Sequence, residues 1–186
     1  MRYTQQQKEE HVRSIRKWMA NWQAKFDRHI PAEAACLYWS GVVLSYFDSI
    51  GETALLQAGS ASWARVSQEA DDGKMNTHFS YMFEYNAKIP IALSMGVLPE
   101  MHVWVAIIDP QQLVDLTTCF VPQQYKKLVK EEWGDKQVPG FIWAERQELE
   151  DNWEIIYTPD MRAINIAIQL LRKTAPELPF ATGNRR

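Results

Sequence analysis

The segment from residue 32 to residue 49 is apolar on almost every side, and this feature constrains the fold most strongly. Its Ala, Cys, Leu, Tyr, Trp, Val and Phe side chains have the spacing of a helix. A helix on a protein surface keeps a polar face, whereas a helix that is apolar all round is packed on several sides. We therefore expect a central helix here, ended by Gly51 and covered by the other elements.

The remaining patterns predict an α+β fold, in which helices come first and a mostly antiparallel sheet follows. In residues 4–28, apolar side chains recur every three or four positions, so this segment predicts an amphipathic helix. Alternating or β-rich patterns predict strands over 61–67, 77–85, 102–109, 112–118, 141–144 and 153–157. Between them, Asp71-Asp72-Gly73 and Asp109-Pro110 are typical of turns.

Further segments predict the rest of the local structure. Residues 52–58 predict a short third helix, and residues 122–133 predict another helix. Residues 86–101 contain two prolines and a glycine and have little periodicity, so they predict a long loop. The last helix is expected to begin at Thr158-Pro159, with Thr158 as its N-cap.

The length of 186 residues is enough for one domain with a sizeable hydrophobic core. We therefore expect a single domain over residues 1–186. Its predicted parts are the N-terminal helix 4–28, a core of about 30–120, a C-terminal extension 121–175 and a loose tail 176–186.

Charge and cysteine content argue against several classes of partner. The net charge is −3 and no long block of like charge occurs, so neither nucleic acid nor an anionic membrane is an expected partner. The first ten residues are too polar for a signal peptide, and no apolar stretch approaches the roughly 20 residues needed to span a bilayer. Cys36 and Cys119 then predict free thiols in a reducing cytoplasm. With no Cys-x-x-Cys pair, neither a structural zinc ion nor another cofactor is expected.

Cys36, His102 and Asp115 are the candidate catalytic residues. Cys36 lies near the start of the central helix, His102 opens the strand-like run His-Val-Trp-Val, and Asp115 lies in the next strand-like run. An ordinary thiol has a pKa of about 8.5 and is a weak nucleophile near neutral pH. A neighbouring imidazole activates it by taking its proton, and a carboxylate can fix the orientation of that imidazole.

The length of the turn between the two strands decides whether His102 and Asp115 share a face of the sheet. A tight turn of two residues pairs His102 with Thr117 and leaves Asp115 one diagonal step away. A four-residue turn pairs His102 with Cys119 and keeps the same face. A three-residue turn would put Asp115 on the opposite face and separate the two side chains.

The order of these residues resembles the transglutaminase-like branch of the papain-like cysteine enzymes. His102-Val103-Trp104 matches the His-x-Trp context in that branch, and Leu113-Val114-Asp115 matches its next strand. The resemblance implies a papain-like fold and acyl transfer through a thioester, with a peptide, amide or ester as substrate. A tryptophan or glycine beside the nucleophile is common in the family but absent here. The backbone N–H of Cys36 is the expected first oxyanion donor, and the second is open.

Each of these residues also has a structural interpretation. Taken alone, Cys36 is better explained by core packing, since cysteine is among the most buried residue types. His102 could simply bond a backbone carbonyl at the strand end. Cys119 could be a competing nucleophile, pair with Cys36 under oxidation or simply pack, and a metal site of His102, Asp115 and Cys119 is conceivable although no spacing is specific for one. Trp39 and Trp104 either contact substrate in the cleft or fill the core. The second functional hypothesis is therefore a non-catalytic binding module on the same fold.

Overall fold

The computed structural model describes residues 3–67, 77–95, 97–109 and 111–179. Its helices are α1 (Gln5–Phe26), α2 (Ala35–Ser49), α3 (Ile89–Ser94), α4 (Val121–Val129), α5 (Arg146–Trp153) and α6 (Met161–Thr174). Its strands are β1 (Ala54–Ala64), β2 (His78–Tyr81), β3 (His102–Ile107), β4 (Gln112–Asp115), β5 (Ile142–Ala144) and β6 (Ile155–Pro159). Short 3-10 turns at Ala32–Ala34 and Thr118–Phe120 precede α2 and α4.

The strands form one antiparallel sheet in the order β2-β1-β3-β4-β5, and β6 also pairs with β1. Gly59 of β1 has a partner in both β3 and β6, so these two strands occupy opposite edges of β1. A Cβ atom at Gly59 would lie 2.1 Å from the carbonyl oxygen of Thr158. A glycine is therefore required where β6 approaches β1. The chain thus combines helices with an antiparallel sheet, as the sequence predicts.

The α2 helix is central, as its all-round apolar sequence predicts. Most of its residues are buried, and it packs against α1, α6 and the strands β1 and β3. The hydroxyl of Ser40 donates to the carbonyl oxygen of Val103 at 2.9 Å, which ties the helix directly to β3. The α1 helix contributes the amphipathic stripe expected from its spacing, with these side chains buried: Val12, Ile15, Met19 and Trp22.

The core has two clusters, and β3 contributes to both. Val103 and Val105 belong to the larger cluster around α2, whereas Trp104 belongs to a second cluster rich in aromatic rings. This division follows from the alternation of side chains along a strand. The second cluster includes Trp63 and Tyr157, and it surrounds the side of the sheet on which His102 lies.

Two local predictions are wrong. Residues 52–58 do not form a helix, because from Ala54 onward the chain belongs to β1 and pairs with β3. Thr158 does not cap the last helix, because it lies in β6 and pairs with Ser60. The N-cap is Asp160, whose carboxylate accepts hydrogen bonds from the backbone N–H groups of the first turn of α6.

Other predicted elements differ from the structure by a few residues at their ends. Some segments contain a helix that the sequence patterns do not predict. The predicted loop 86–101 includes α3, and α5 lies between β5 and β6. The tail predicted to be loose begins at residue 176, but Leu178 within it is buried at 3% exposure, and residues 180–186 lie outside the described residues. The predicted turn at 71–73 and Pro110 also lie outside them. No helix in the described ranges has the length and apolar character needed to cross a bilayer.

Candidate active site

The fold brings Cys36, His102 and Asp115 to one small region. Cys36 is the second residue of α2, His102 is the first residue of β3, and Asp115 is the last residue of β4. The β3–β4 hairpin pairs Ile107 with Gln112. Continued along the hairpin, this register places His102 opposite Thr117 and Asp115 one diagonal step away. It is the register that the sequence predicts for a two-residue turn.

The Asp115 carboxylate is held by four hydrogen bonds. Oδ2 lies 2.7 Å from Nε2 of His102 and accepts a second hydrogen bond, also of 2.7 Å, from the hydroxyl of Tyr157. Oδ1 accepts from the backbone N–H of Thr117 at 2.8 Å and from its hydroxyl at 2.6 Å. Asp115 is 2% exposed, so an unpaired carboxylate would be costly here. These partners fix both oxygens and hence the imidazole bound to them.

The His102–Asp115 contact is a buried ion pair. Burial alone would lower the pKa of His102, but the charge and hydrogen bond of Asp115, together with Cys36, raise it well above its ordinary value. Burial acts against the charged form of Asp115 too, yet the pKa of this carboxyl is lowered by His102, Thr117 and Tyr157. The favoured state near neutral pH is therefore an imidazolium beside a carboxylate.

Aromatic rings hold the His102 imidazole on several sides. Tyr81 stacks on it with 5.7 Å between centroids and 10° between planes, and Trp63 approaches edge-on at 5.0 Å. The rings of Trp104 and Tyr157 also lie beside it, with centroid separations of 6.3 and 5.8 Å. This packing leaves little freedom for rotation of the ring.

The second ring nitrogen of His102, Nδ1, is not bound to Asp115. Nδ1 is buried and has no hydrogen-bond partner in the described part of the chain. Cys36 is close enough to contribute to the raised pKa of His102. Since Asp115 occupies Nε2, Nδ1 is the nitrogen that can exchange a proton with the Cys36 thiol.

Cys36 and His102 line a common cleft with a free volume of about 30 Å³. A cleft of this volume has room for water or a small polar group. Its wall comes from the start of α2, the end of β2, the start of β3 and the region from Thr117 into α4. The residues that line it include Cys36, Tyr81, His102, Thr117 and Gln124.

The two tryptophans predicted to bind substrate lie elsewhere. Trp104 is 1% exposed and packs beside His102 in the aromatic cluster. Trp39 is half-buried and packs against the larger core cluster. Neither residue is among those that line the cleft around Cys36.

Cys119 is a less favourable nucleophile than its position near Asp115 suggests. It lies in the 3-10 turn before α4 and is exposed as a residue. Partial desolvation of its thiol and the nearby charge of Asp115 raise its pKa. It is also a free thiol, as is Cys36. Within the described ranges, no three His, Cys, Asp or Glu side chains converge as a metal site requires.

Sequence reasoning missed residues that complete the site. Thr117 follows Asp115 by two positions, and an aspartate that bonds the N–H two residues later is a recognisable local pattern. Tyr157 has no such signal, because it reaches Asp115 from 42 residues away. Gln124 and Tyr81 likewise join the cleft only through the fold.

Comparison with known proteins finds no match among protein-family models, curated proteins or solved structures. Interpretation of the cleft therefore depends on its own geometry.

Proposed function

We propose that this protein is a cysteine-dependent enzyme that hydrolyses or transfers the acyl group of an amide or ester. The observation that carries this proposal is the arrangement of His102, whose Nε2 is bound to Asp115 while its Nδ1 is left for Cys36 in a shared cleft. We further propose the transglutaminase-like branch of the papain-like fold, which the order of the three residues supports. Two free thiols are consistent with a cytoplasmic location, which is part of the proposal.

In the proposed mechanism, the resting site holds a Cys36 thiolate beside the His102 imidazolium, whose Nδ1 proton came from the thiol. Sγ then forms a bond to the substrate carbonyl carbon, and the carbonyl electron pair moves to oxygen. When this pair returns, the bond to the leaving nitrogen or oxygen breaks, and the leaving group takes the proton from Nδ1. Water or an amine next gives a proton to Nδ1 and attacks the thioester, and Cys36 leaves.

The residues around Asp115 have a positioning role in this scheme. The carboxylate stabilises the imidazolium that forms when Cys36 loses its proton, and it fixes which ring nitrogen faces the thiol. Tyr157 and Thr117 hold the carboxylate in turn. Tyr157 remains a neutral donor, because burial and the Asp115 charge raise its pKa.

The narrowness of the cleft favours a second candidate function, a non-catalytic binding module on the same fold. A free volume of about 30 Å³ is small for a site that has to hold a substrate. In this alternative, Cys36 packs against the core and has no special reactivity.

Alkylation by iodoacetamide distinguishes the two functions. We would measure the rate at Cys36 and at Cys119 between about pH 4 and pH 9, residue by residue by mass spectrometry. If the protein is an enzyme, iodoacetamide should alkylate Cys36 at least about tenfold faster than Cys119 near pH 6.5. This difference in rate should disappear in His102→Ala. His78→Ala is the matched control, because His78 is exposed in β2. Equal rates at the two cysteines would favour the binding module.

A further inference from the structure

Acyl transfer needs two donors for the carbonyl oxygen, and the start of α2 supplies one. Cys36 is the second residue of this helix, and the first-turn N–H groups of a helix have no acceptor within it. The N–H of Cys36 lies next to its own sulfur, which is the position of an oxyanion donor in acyl transfer. A second donor has to come from another wall of the same cleft.

Gln124 is the polar side chain that fits this position. It is the fourth residue of α4, and it lines the cleft together with Cys36 and His102. Gln124 is only 6% exposed, whereas its neighbour Gln123 on the same helix is exposed. The helix holds Gln124 inward because Val121 and Tyr125 on the same side are buried in the aromatic cluster.

No hydrogen bond joins the Gln124 amide to another group among the described residues, and the amide is not among their fully buried unpaired atoms, so it is open to the cleft. Thr117, in contrast, bonds Asp115 with both its N–H and its hydroxyl. An amide that faces the cleft beside the nucleophile can donate a hydrogen bond to a substrate group bound there.

The dimensions of the cleft support such a hydrogen bond. With a free volume of about 30 Å³, the cleft has room for a small polar group beside Cys36. The carbonyl oxygen of a substrate attacked by Sγ is small enough to fit this cleft.

We propose that Gln124 is a catalytic residue whose side-chain N–H, with the backbone N–H of Cys36, binds the carbonyl oxygen of the substrate and stabilises the oxyanion. This inference depends on the proposed function. In the step concerned, the S–C bond forms and the C=O electron pair moves to the oxygen that Gln124 binds. When the pair returns, the leaving group departs and the thioester carbonyl remains in the same position.

Two reagents that react with the same thiol separate this role from a structural one. p-Nitrophenyl acetate acetylates a thiolate through an oxyanion and releases p-nitrophenolate. Methyl methanethiosulfonate transfers a methylthio group to sulfur, releases methanesulfinate and builds no oxyanion. Both rates are read at Cys36 by mass spectrometry in a Cys119→Ser background, for the parent, Gln124→Ala, Gln124→Leu and the matched control Gln123→Ala.

Gln124→Ala is expected to slow acetylation about 100-fold while thiosulfonate modification stays within about twofold, and Gln123→Ala should change neither. Gln124→Leu should lose acetylation equally and melt close to the parent, because leucine keeps the buried apolar part of the side chain at similar volume. Unchanged acetylation, or equal slowing of both reactions, would overturn the role of Gln124. Failure of the parent Cys36 to react with either reagent would instead overturn the proposed function, and the inference with it.

Discussion

At the scale of single residues, the charge of Asp115 controls the state of His102. Asp115→Asn removes this charge and leaves burial, which lowers the pKa of a histidine. We expect the pKa of His102 to fall below its ordinary value, so that the ring is neutral at pH 7, and we expect slower alkylation of Cys36. The measurement is an NMR titration of the His102 ring in both proteins. Asp48→Asn is the control, because Asp48 is exposed on α2.

An unchanged His102 titration in Asp115→Asn would contradict the ion pair between His102 and Asp115. A lowered pKa with unchanged Cys36 alkylation would instead separate the pair from the thiol and would weaken the proposed mechanism. Asp48→Asn should leave both measurements as in the wild type.

Among the candidate catalytic residues, Asp115 has a local oddity that is visible in the sequence. Asp115 lies between apolar neighbours in a strand, where a carboxylate is disfavoured without a partner. Tyr157 and Gln124 have no comparable oddity, since a tyrosine in a strand and a glutamine on a helix are ordinary. Their roles arise from contacts distant in sequence, which local patterns do not encode.

At the scale of elements, the close approach of β6 to β1 depends on Gly59. Gly59→Ala would place a Cβ 2.1 Å from the Thr158 carbonyl oxygen, and the two strands would have to separate. We expect a loss of about 3 kcal/mol in the free energy of unfolding, measured with urea. Because Tyr157 lies in β6, its hydrogen bond to Asp115 should weaken, and Cys36 alkylation should slow.

Gly140→Ala is the matched control for Gly59→Ala. No atom lies within 4 Å of the Cβ that it would add, so a change within about 0.5 kcal/mol is expected. If Gly59→Ala is as stable as Gly140→Ala, the tight contact between β1 and β6 does not constrain this sheet.

The wrong local predictions have a common physical cause, which is pairing between distant segments. Residues 54–58 have no strong strand pattern of their own, but they gain partners from β3 across the sheet. Thr158 has good capping chemistry, yet pairing with Ser60 extends β6 through it and leaves Asp160 to cap α6. In contrast, α2 is predictable because its burial is visible in its own composition.

For the whole molecule, the mixed helix and antiparallel-sheet architecture follows from sequence patterns, whereas the shape of the cleft does not. Strand alternation and helical spacing identify most elements. The cleft forms where α2, β2, β3 and the start of α4 meet, and none of these segments indicates the others. The membership of a papain-like family stays a prediction.

The buried ion pair should shape the pH dependence of global stability. The pKa of Asp115 is lowered in the folded protein, so its contribution is present above its ordinary value of 3.8 and is lost as the pH falls through the folded pKa. The pKa of His102 is raised, so its contribution is complete below its ordinary value of 6.5 and is lost as the pH rises through the folded pKa.

The two contributions overlap between the ordinary values of 3.8 and 6.5. The free energy of unfolding, measured with urea at a series of pH values, should therefore exceed that of the double variant His102→Gln/Asp115→Asn by the largest margin in this window. This difference in free energy of unfolding should decrease at lower and at higher pH, because Asp115 loses its charge at low pH and His102 loses its charge at high pH. A margin that is independent of pH would mean that the pair contributes through packing and hydrogen bonds rather than through charge.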